Sequence, residues 1–185
     1  MIPPRAELVA SLFGAWSLIK FDPRGLSYFN CSVEGFWRSF FAAIVALPLF
    51  VALSSMHAYE IEAGSSSSFG VHLIRYAVGW AAFPIIMAIL ARVLDRTGHY
   101  ASYIIAVNWM AVPQWALVLF ASSAGTALGG AASGLIPVLL LLLLLYYDFF
   151  ITRIALDLGV GKALLVGIIG GLLGLVLDAL MLSGY

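Results

Sequence analysis

The sequence predicts an all-α fold, a polytopic membrane protein of five transmembrane helices preceded by an N-terminal amphipathic helix at the cytoplasmic interface. Three observations predict it. The 185 residues are 63% hydrophobic and 10% charged, with a mean hydropathy of +1.07, whereas an average soluble domain is about 45–50% apolar and about 25% charged. In water such a chain would expose large apolar patches, and a bilayer is the solvent that removes them. Five segments approach the length of about 20 apolar residues that crosses about 30 Å of hydrocarbon at about 1.5 Å per residue. Finally, Lys and Arg in the intervening segments fall on one side only, the side that stays in the cytoplasm.

The chain divides into a cytoplasmic interfacial segment, 1–35, and a transmembrane domain, 36–182. In the first, Leu8, Leu12, Phe13, Trp16 and Ile19 recur at helical spacing, with Glu7, Ser11, Gly14 and Ser17 as the opposite stripe. This reads as a helix lying on the cytoplasmic leaflet with Trp16 at the interface; packing of the apolar stripe on the bundle or on a partner would use the same pattern. Arg5, Glu7, Lys20, Asp22 and Arg24 break up the apolar pieces, so no signal-peptide cleavage is expected. Asp22-Pro23 has the form of an N-cap followed by proline at the first helical position and opens a short turn through Tyr28. Asn30 or Ser32 then caps the helix that becomes the first span.

The expected spans are Phe36–Met56, Val71–Leu94, Tyr100–Ala121, Leu135–Ile151 and Ala163–Leu182. The links are Ala58–Gly70 with its run of four serines, Asp95–His99, a Gly/Ser/Ala stretch over Ser122–Gly134, and Thr152–Lys162. Short links imply antiparallel neighbours. One side of this layout holds Arg5, Lys20, Arg24, Arg38, Arg92, Arg96, Arg153 and Lys162, and the other holds only Arg75, inside a span. The N-terminus is therefore expected in the cytoplasm and Tyr185 outside, which requires an odd number of helices.

Ionisable groups inside a span cost about 2.5–3.5 kcal/mol on insertion scales, so each needs a reason. Arg75 and Asp178 both fall about 6 Å below the external surface at about 1.5 Å per residue. Either they pair across the bundle, with His72 one turn away as a third member, or Arg75 snorkels outward and Asp178 is hydrated. Asp148 ends the fourth span at a depth near Arg92, Arg96 and Arg153, where an interfacial ion pair explains it. The third span is the most polar. Asn108 and Gln114 point in different directions around it, so at least one is expected to face the interior and hydrogen-bond to a neighbour. Pro113 removes a backbone bond there and is read as a structural kink. In the fifth span, Gly167 with Gly171 and Gly170 with Gly174 form two overlapping small-residue motifs that let another helix approach, from the same chain or from another.

Several chemistries have no motif behind them. HExxH, GxSxG, GxxxxGK[ST] and CxxC are absent, and His57, His72 and His99 fall in different places. The single cysteine, Cys31, forms no internal disulfide and is read as structural. The expectation is a protein that is not an enzyme, without cofactor or metal. A net charge of zero gives no footprint for nucleic acid.

The amphipathic N-terminus, the five spans, the tight hairpin Asp95-Arg96-Thr97-Gly98-His99-Tyr100 and the polar third helix together resemble the Yip family, membrane proteins that interact with Ypt/Rab GTPases. The resemblance covers Phe36 to Leu182 and rests on layout, with Gly98 to Pro113 loosely similar to the family's glycine-tyrosine-to-proline stretch. It implies a membrane scaffold. The compact chain is similar to small bacterial relatives, which implies a bacterial inner membrane. The expected function is thus a non-enzymatic scaffold or membrane-organising protein whose partners are the bilayer and either another protein or a second copy. The alternative is a small transporter or channel, dimeric because five spans do not divide into equal halves, using Arg75, Asn108, Gln114, Asp148 and Asp178.

Overall fold

The computed structural model describes residues 2–61 and 69–182 of the protein, with side chains described over 2–56 and 70–172. Among the described residues there are helices and turns and no strands. The α-helices are α1 (Arg5–Ile19), α2 (Val33–Ser39), α3 (Phe41–Ile61), α4 (Phe69–Val93), α5 (Tyr100–Leu128), α6 (Gly130–Ala155) and α7 (Val160–Leu182). Short 3₁₀ segments at Pro23–Tyr28 and Thr97–His99 join α1 to α2 and α4 to α5. Four stretches are long and apolar enough to cross a membrane: Val33–Met56, Gly70–Val93, Thr97–Leu128 and Gly130–Ala155. In α7 the described apolar stretch is Val160–Leu172, shorter than a span, while the helical backbone continues to Leu182.

Local chemistry starts these helices where the sequence signals them. The Asp22 carboxylate accepts from the Arg24 backbone N–H at 3.0 Å and Pro23 fills the first position of the 3₁₀ turn. Ser32 is the N-cap of α2, its Oγ accepting from Gly35 N–H at 3.0 Å, while Asn30 Oδ1 holds the Ser32 amide at 3.1 Å. The two proposed caps thus act in series.

The Gly/Ser/Ala stretch expected as a loop over Ser122–Gly134 is almost wholly helical. Thr126 Oγ1 donates to Ser122 O at 3.0 Å and Ser123 Oγ to Leu119 O at 2.8 Å, so these hydroxyls are satisfied inside the helix and do not break it. The break is confined to Gly129 and Gly130, at φ +60° and +56°, a left-handed pair that glycine adopts without strain.

The polar helix α5 is the centre of the bundle. It packs against α1, α2, α3, α4 and α6, and α7 closes the ring by contacting both α4 and α6. Tyr103 to Ala106 and Asn108 to Met110 are all buried there, with Ile151, Ala155, Ala163 and Val166 of α6 and α7 in the same core.

Of its two expected stripes, the helix α1 turns Ser11, Gly14 and Ser17 inward, so the apolar stripe as a whole does not pack on the bundle. Ser11, Gly14, Ala15, Ser17 and Leu18 are buried, whereas Leu12, Phe13 and Trp16 are exposed, and Leu8 and Ile19 are partly buried against the core. The reason is distance. A Cβ on Gly14 would lie 2.9 Å from Gly25 O, and one on Gly25 would lie 2.7 Å from Gly14 O, so the 3₁₀ turn crosses α1 backbone to backbone and only a small-residue face fits. Ser17 Oγ keeps its own donor satisfied on Phe13 O at 3.0 Å. This N-terminal layer is fastened at both ends, by the Arg38–Glu7 ion pair at 2.8 Å and by Tyr147 Oη donating to Ile19 O at 2.7 Å. It covers the end of the bundle at which α4 and α6 finish and α5 and α7 begin.

Candidate functional site

A cavity of about 400 Å³ opens between α3, α4 and α5. It exists because α4 leans chiefly on α7 and meets α3 and α5 more sparsely. Helix α4 contributes His72, Arg75, Tyr76, Gly79, Trp80 and Phe83, a stripe at spacings of three and four that forms one wall. Helix α5 contributes Val107, Asn108, Ala111 and Trp115, and Phe50 of α3 completes the lining. From His72 to Pro84 the wall runs about 18 Å at about 1.5 Å per residue.

The lining is predominantly apolar, and its aromatic rings support one another. The Phe50 and Tyr76 centroids are 4.6 Å apart, Phe50 and Trp115 meet edge to face at 5.6 Å, and Tyr76 and Trp80 are 5.9 Å apart. Such ring pairs contribute about 0.5–1.5 kcal/mol each beyond area burial. Tyr76 is fixed further, its Oη donating to Ala43 O of α3 at 2.6 Å. Gly79 leaves the wall open, since a Cβ there would meet nothing within 4 Å among the described residues. The charged group, Arg75, and His72 lie toward the start of α4, and the aromatic walls extend from them toward Pro84.

The structure brings together some of the sequence-predicted residues and separates others. Arg75, His72 and Asn108 line this one cavity; the first two engage other groups of the chain as well. The side chain of Asp178, the proposed partner of Arg75, lies outside the described residues. Asn108 is 4% exposed and donates from Nδ2 to Ser39 Oγ at 2.8 Å, an interior bond between α5 and the end of α2. Ser39 Oγ in turn donates to Phe36 O at 2.7 Å, so its proton and one lone pair are both used.

Gln114 and Asp148 are elsewhere, between α5 and α6. Gln114 Nε2 donates to Asp148 Oδ1 at 3.3 Å. Of Arg92, Arg96 and Arg153, the arginines expected near Asp148, Arg96 places Nη2 4.0 Å from Asp157 Oδ2. Asp148, seven residues before the end of α6, is met by the amide from α5.

Of the helix-packing glycines, Gly170 faces α4, where an added Cβ would meet Met87 Cε at 3.5 Å and Phe83 Cε2 at 3.7 Å. At Gly167 and Gly171 an added Cβ meets nothing within 4 Å among the described residues, and the surroundings of Gly174 lie outside them. Among the described residues no three His, Cys, Asp or Glu side chains gather as metal ligands.

Phe50, Tyr76, Gly79, Trp80, Phe83 and Trp115 were not among the residues singled out from sequence. For the four on α4 the signal is the helical period: reading on from His72 and Arg75 by threes and fours gives Tyr76, Gly79, Trp80 and Phe83, whereas Phe50 and Trp115 come from α3 and α5 and carry no such signal. Chemically, the cavity can hold an apolar or aromatic body and offer a guanidinium, an imidazole and an amide to polar groups upon it. Comparisons with family models, with curated proteins and with solved structures return no match.

Proposed function

We propose that the protein is a non-enzymatic membrane scaffold or membrane-organising protein of the Yip type, with five spans, α7 being the fifth, in a bacterial inner membrane. Its N-terminus is cytoplasmic and its C-terminus external. The observation that carries this reading is the exposed face of α1: Phe13 and Trp16 are 50% and 57% exposed while the small residues behind them are buried. An aromatic face presented at the basic end of the bundle suits the membrane interface, where tryptophan and long apolar side chains insert to headgroup depth. The scaffold would engage other molecules through Arg5 to Arg38 and through the glycine face of α7.

The division of the intramembrane polar groups, with Arg75, His72 and Asn108 on one cavity and Gln114 and Asp148 away from it, supports this reading over a relay. Asn108 is bonded to Ser39 and Gln114 to Asp148, whereas proton relays need groups at successive depths along one path. The test of the interfacial face is quenching of tryptophan fluorescence in liposomes by lipids brominated at different depths. The signal removed by Trp16→Phe is expected to be quenched by bromines near the headgroups, and a Trp16 contribution unaffected by bromines at any depth would overturn the interfacial reading.

A second reading, a small transporter, is favoured by the cavity that reaches Asn108 between α4 and α5. Proteoliposomes are expected to show no solute or ion flux. Flux that is lost on Asn108→Leu would replace the scaffold with the transporter.

A further inference from the structure

We propose that the cavity between α3, α4 and α5 is a binding site for a single long-chain carboxylate, an amphiphile of the fatty-acid class taken from the bilayer. The argument begins from polarity along the cavity. The cationic Arg75 and the imidazole of His72 lie toward the start of α4, and the wall then continues through Tyr76, Trp80 and Phe83. A ligand that satisfies both parts has an anionic head and an apolar body in line.

Donor geometry selects the head. A guanidinium has five donors in a planar fork that matches a carboxylate in two parallel hydrogen bonds, so Arg75 can bind one while keeping another contact in the chain. A single arginine with one histidine beside it suits a carboxylate better than a phosphate, whose second negative charge calls for a larger cationic cluster. Shape selects the body. The volume, about 400 Å³, lies near the lower end of small-molecule sites at about 300–1,000 Å³. Beyond Arg75 the wall runs about 13–14 Å along α4 to Pro84 at about 1.5 Å per residue, which holds much of one extended chain. Gly79 leaves open the space that the chain would pass, since no heavy atom of the described residues lies within 4 Å of an added Cβ.

Position selects the source. The lining residues belong to the apolar stretches Val33–Met56, Gly70–Val93 and Thr97–Leu128, so the cavity is within the hydrocarbon level of the proposed spans. With Arg75 about 7–8 Å from the start of α4's apolar stretch at about 1.5 Å per residue, the head sits near the lipid headgroups and the chain points into the membrane. This site is separate from the exposed face of α1, and its occupation does not depend on what α1 engages.

The experiment is photolabelling of the full-length protein in liposomes with a long-chain carboxylate carrying a mid-chain diazirine, followed by mapping of the labelled residues. Probes of equal chain with a phosphate or an alcohol head are run beside it. Labelling is expected to concentrate on Trp80, Phe83 and Trp115, to be displaced by excess unlabelled carboxylate, and to be at least tenfold weaker with the alcohol. Gly79→Leu, which fills open space, and Arg75→Gln should each reduce that labelling at least tenfold. Labelling of Leu139 and Leu142, exposed on α6, reports membrane insertion alone and should persist in every variant. Label spread evenly over cavity and α6 residues, labelling indifferent to the head, or stronger labelling by the phosphate probe would overturn the proposal. If one variant fails to fold by circular dichroism, the other variant and the comparison of heads still decide it.

Discussion

Asn108 sits where a buried amide must be paired, and its partner Ser39 is supplied by a different helix 69 residues away in sequence. Interhelical hydrogen bonds in membrane proteins average about 0.6 kcal/mol and reach about 1.7 kcal/mol, because the unfolded chain in lipid finds partners too. A double-mutant cycle with Asn108→Ala and Ser39→Ala is therefore expected to give a coupling of about 0.6–1.7 kcal/mol in reversible unfolding from mixed micelles. Coupling near zero would remove the bond from the stability of the bundle. Gly25 makes a sharper prediction. Its Cβ would meet Gly14 O at 2.7 Å and Leu18 Cγ at 2.8 Å, and a carbonyl in a helix has little freedom to retreat. Gly25→Ala should destabilise the N-terminal layer by about 1–3 kcal/mol, the usual range for overpacking, read as faster amide exchange in α1 than in α5. Asp22 adds a pH dependence. Arg24, through its guanidinium and then its backbone N–H, holds the Asp22 carboxyl below its ordinary value. A depressed native pKa means that the contribution is present above the unfolded value near 3.8 and is lost as pH falls through the native one. The Asp22 carboxyl resonance should accordingly titrate below that of the Arg24→Ala variant.

At the scale of the element, α1 is held by an unusual residue. Phe21 follows it at φ +59°, a left-handed conformation that costs a bulky residue about 1–3 kcal/mol. It is retained because the ring enters a cluster on α6, stacked on Tyr147 at 4.8 Å and edge to face with Tyr146 at 5.0 Å and Phe150 at 5.6 Å. Three pairs at about 0.5–1.5 kcal/mol each offset the backbone strain. Phe21→Ala loses the rings and keeps the strain, whereas Phe21→Gly loses both. Both variants should destabilise the protein, with the alanine variant about 1 kcal/mol worse, the usual gap between glycine and a side chain at a left-handed position. Equal melting temperatures for the two would show that the strain carries no weight.

The same element marks the limit of sequence reasoning. Helical spacing identified α1, and capping chemistry identified Asp22 and Ser32, because both are local. The two stripes of α1 were legible in its spacing, but whether the apolar one packs on the bundle or turns away from it was decided by the backbone of the turn at Gly25, and no periodicity encodes that. Likewise at least one of Asn108 and Gln114 was legible as an interior hydrogen-bonding group from residue type, but that Asn108 bonds to Ser39, and the ring of Trp80, Phe50 and Trp115 around the cavity, required three helices to be assembled.

For the whole molecule, the decisive quantity is the parity of the spans. Arg5, Lys20, Arg24, Arg38, Arg92, Arg96, Arg153 and Lys162 all belong to the N-terminal layer, to the ends of α4 and α6, the turn after α4, or the start of α7. If α7 crosses the bilayer, Tyr185 lies opposite this basic end; if α7 returns or lies flat, it lies on the same side. A 23-residue helix is about 34 Å long at about 1.5 Å per residue, enough for about 30 Å of hydrocarbon, and the positive-inside rule then assigns the basic end to the cytoplasm. The chain carries its own probe for this, since Cys31 is its single cysteine and is exposed. A membrane-impermeant maleimide should label Cys31 in inverted vesicles and not in intact spheroplasts, whereas a Cys31→Ser chain carrying Tyr185→Cys should show the reverse. Opposite sidedness requires an odd number of crossings and makes α7 the fifth. If both cysteines react from the same side, the count is even, α7 is not a span, and the glycines Gly167 and Gly171 face an interface instead of hydrocarbon.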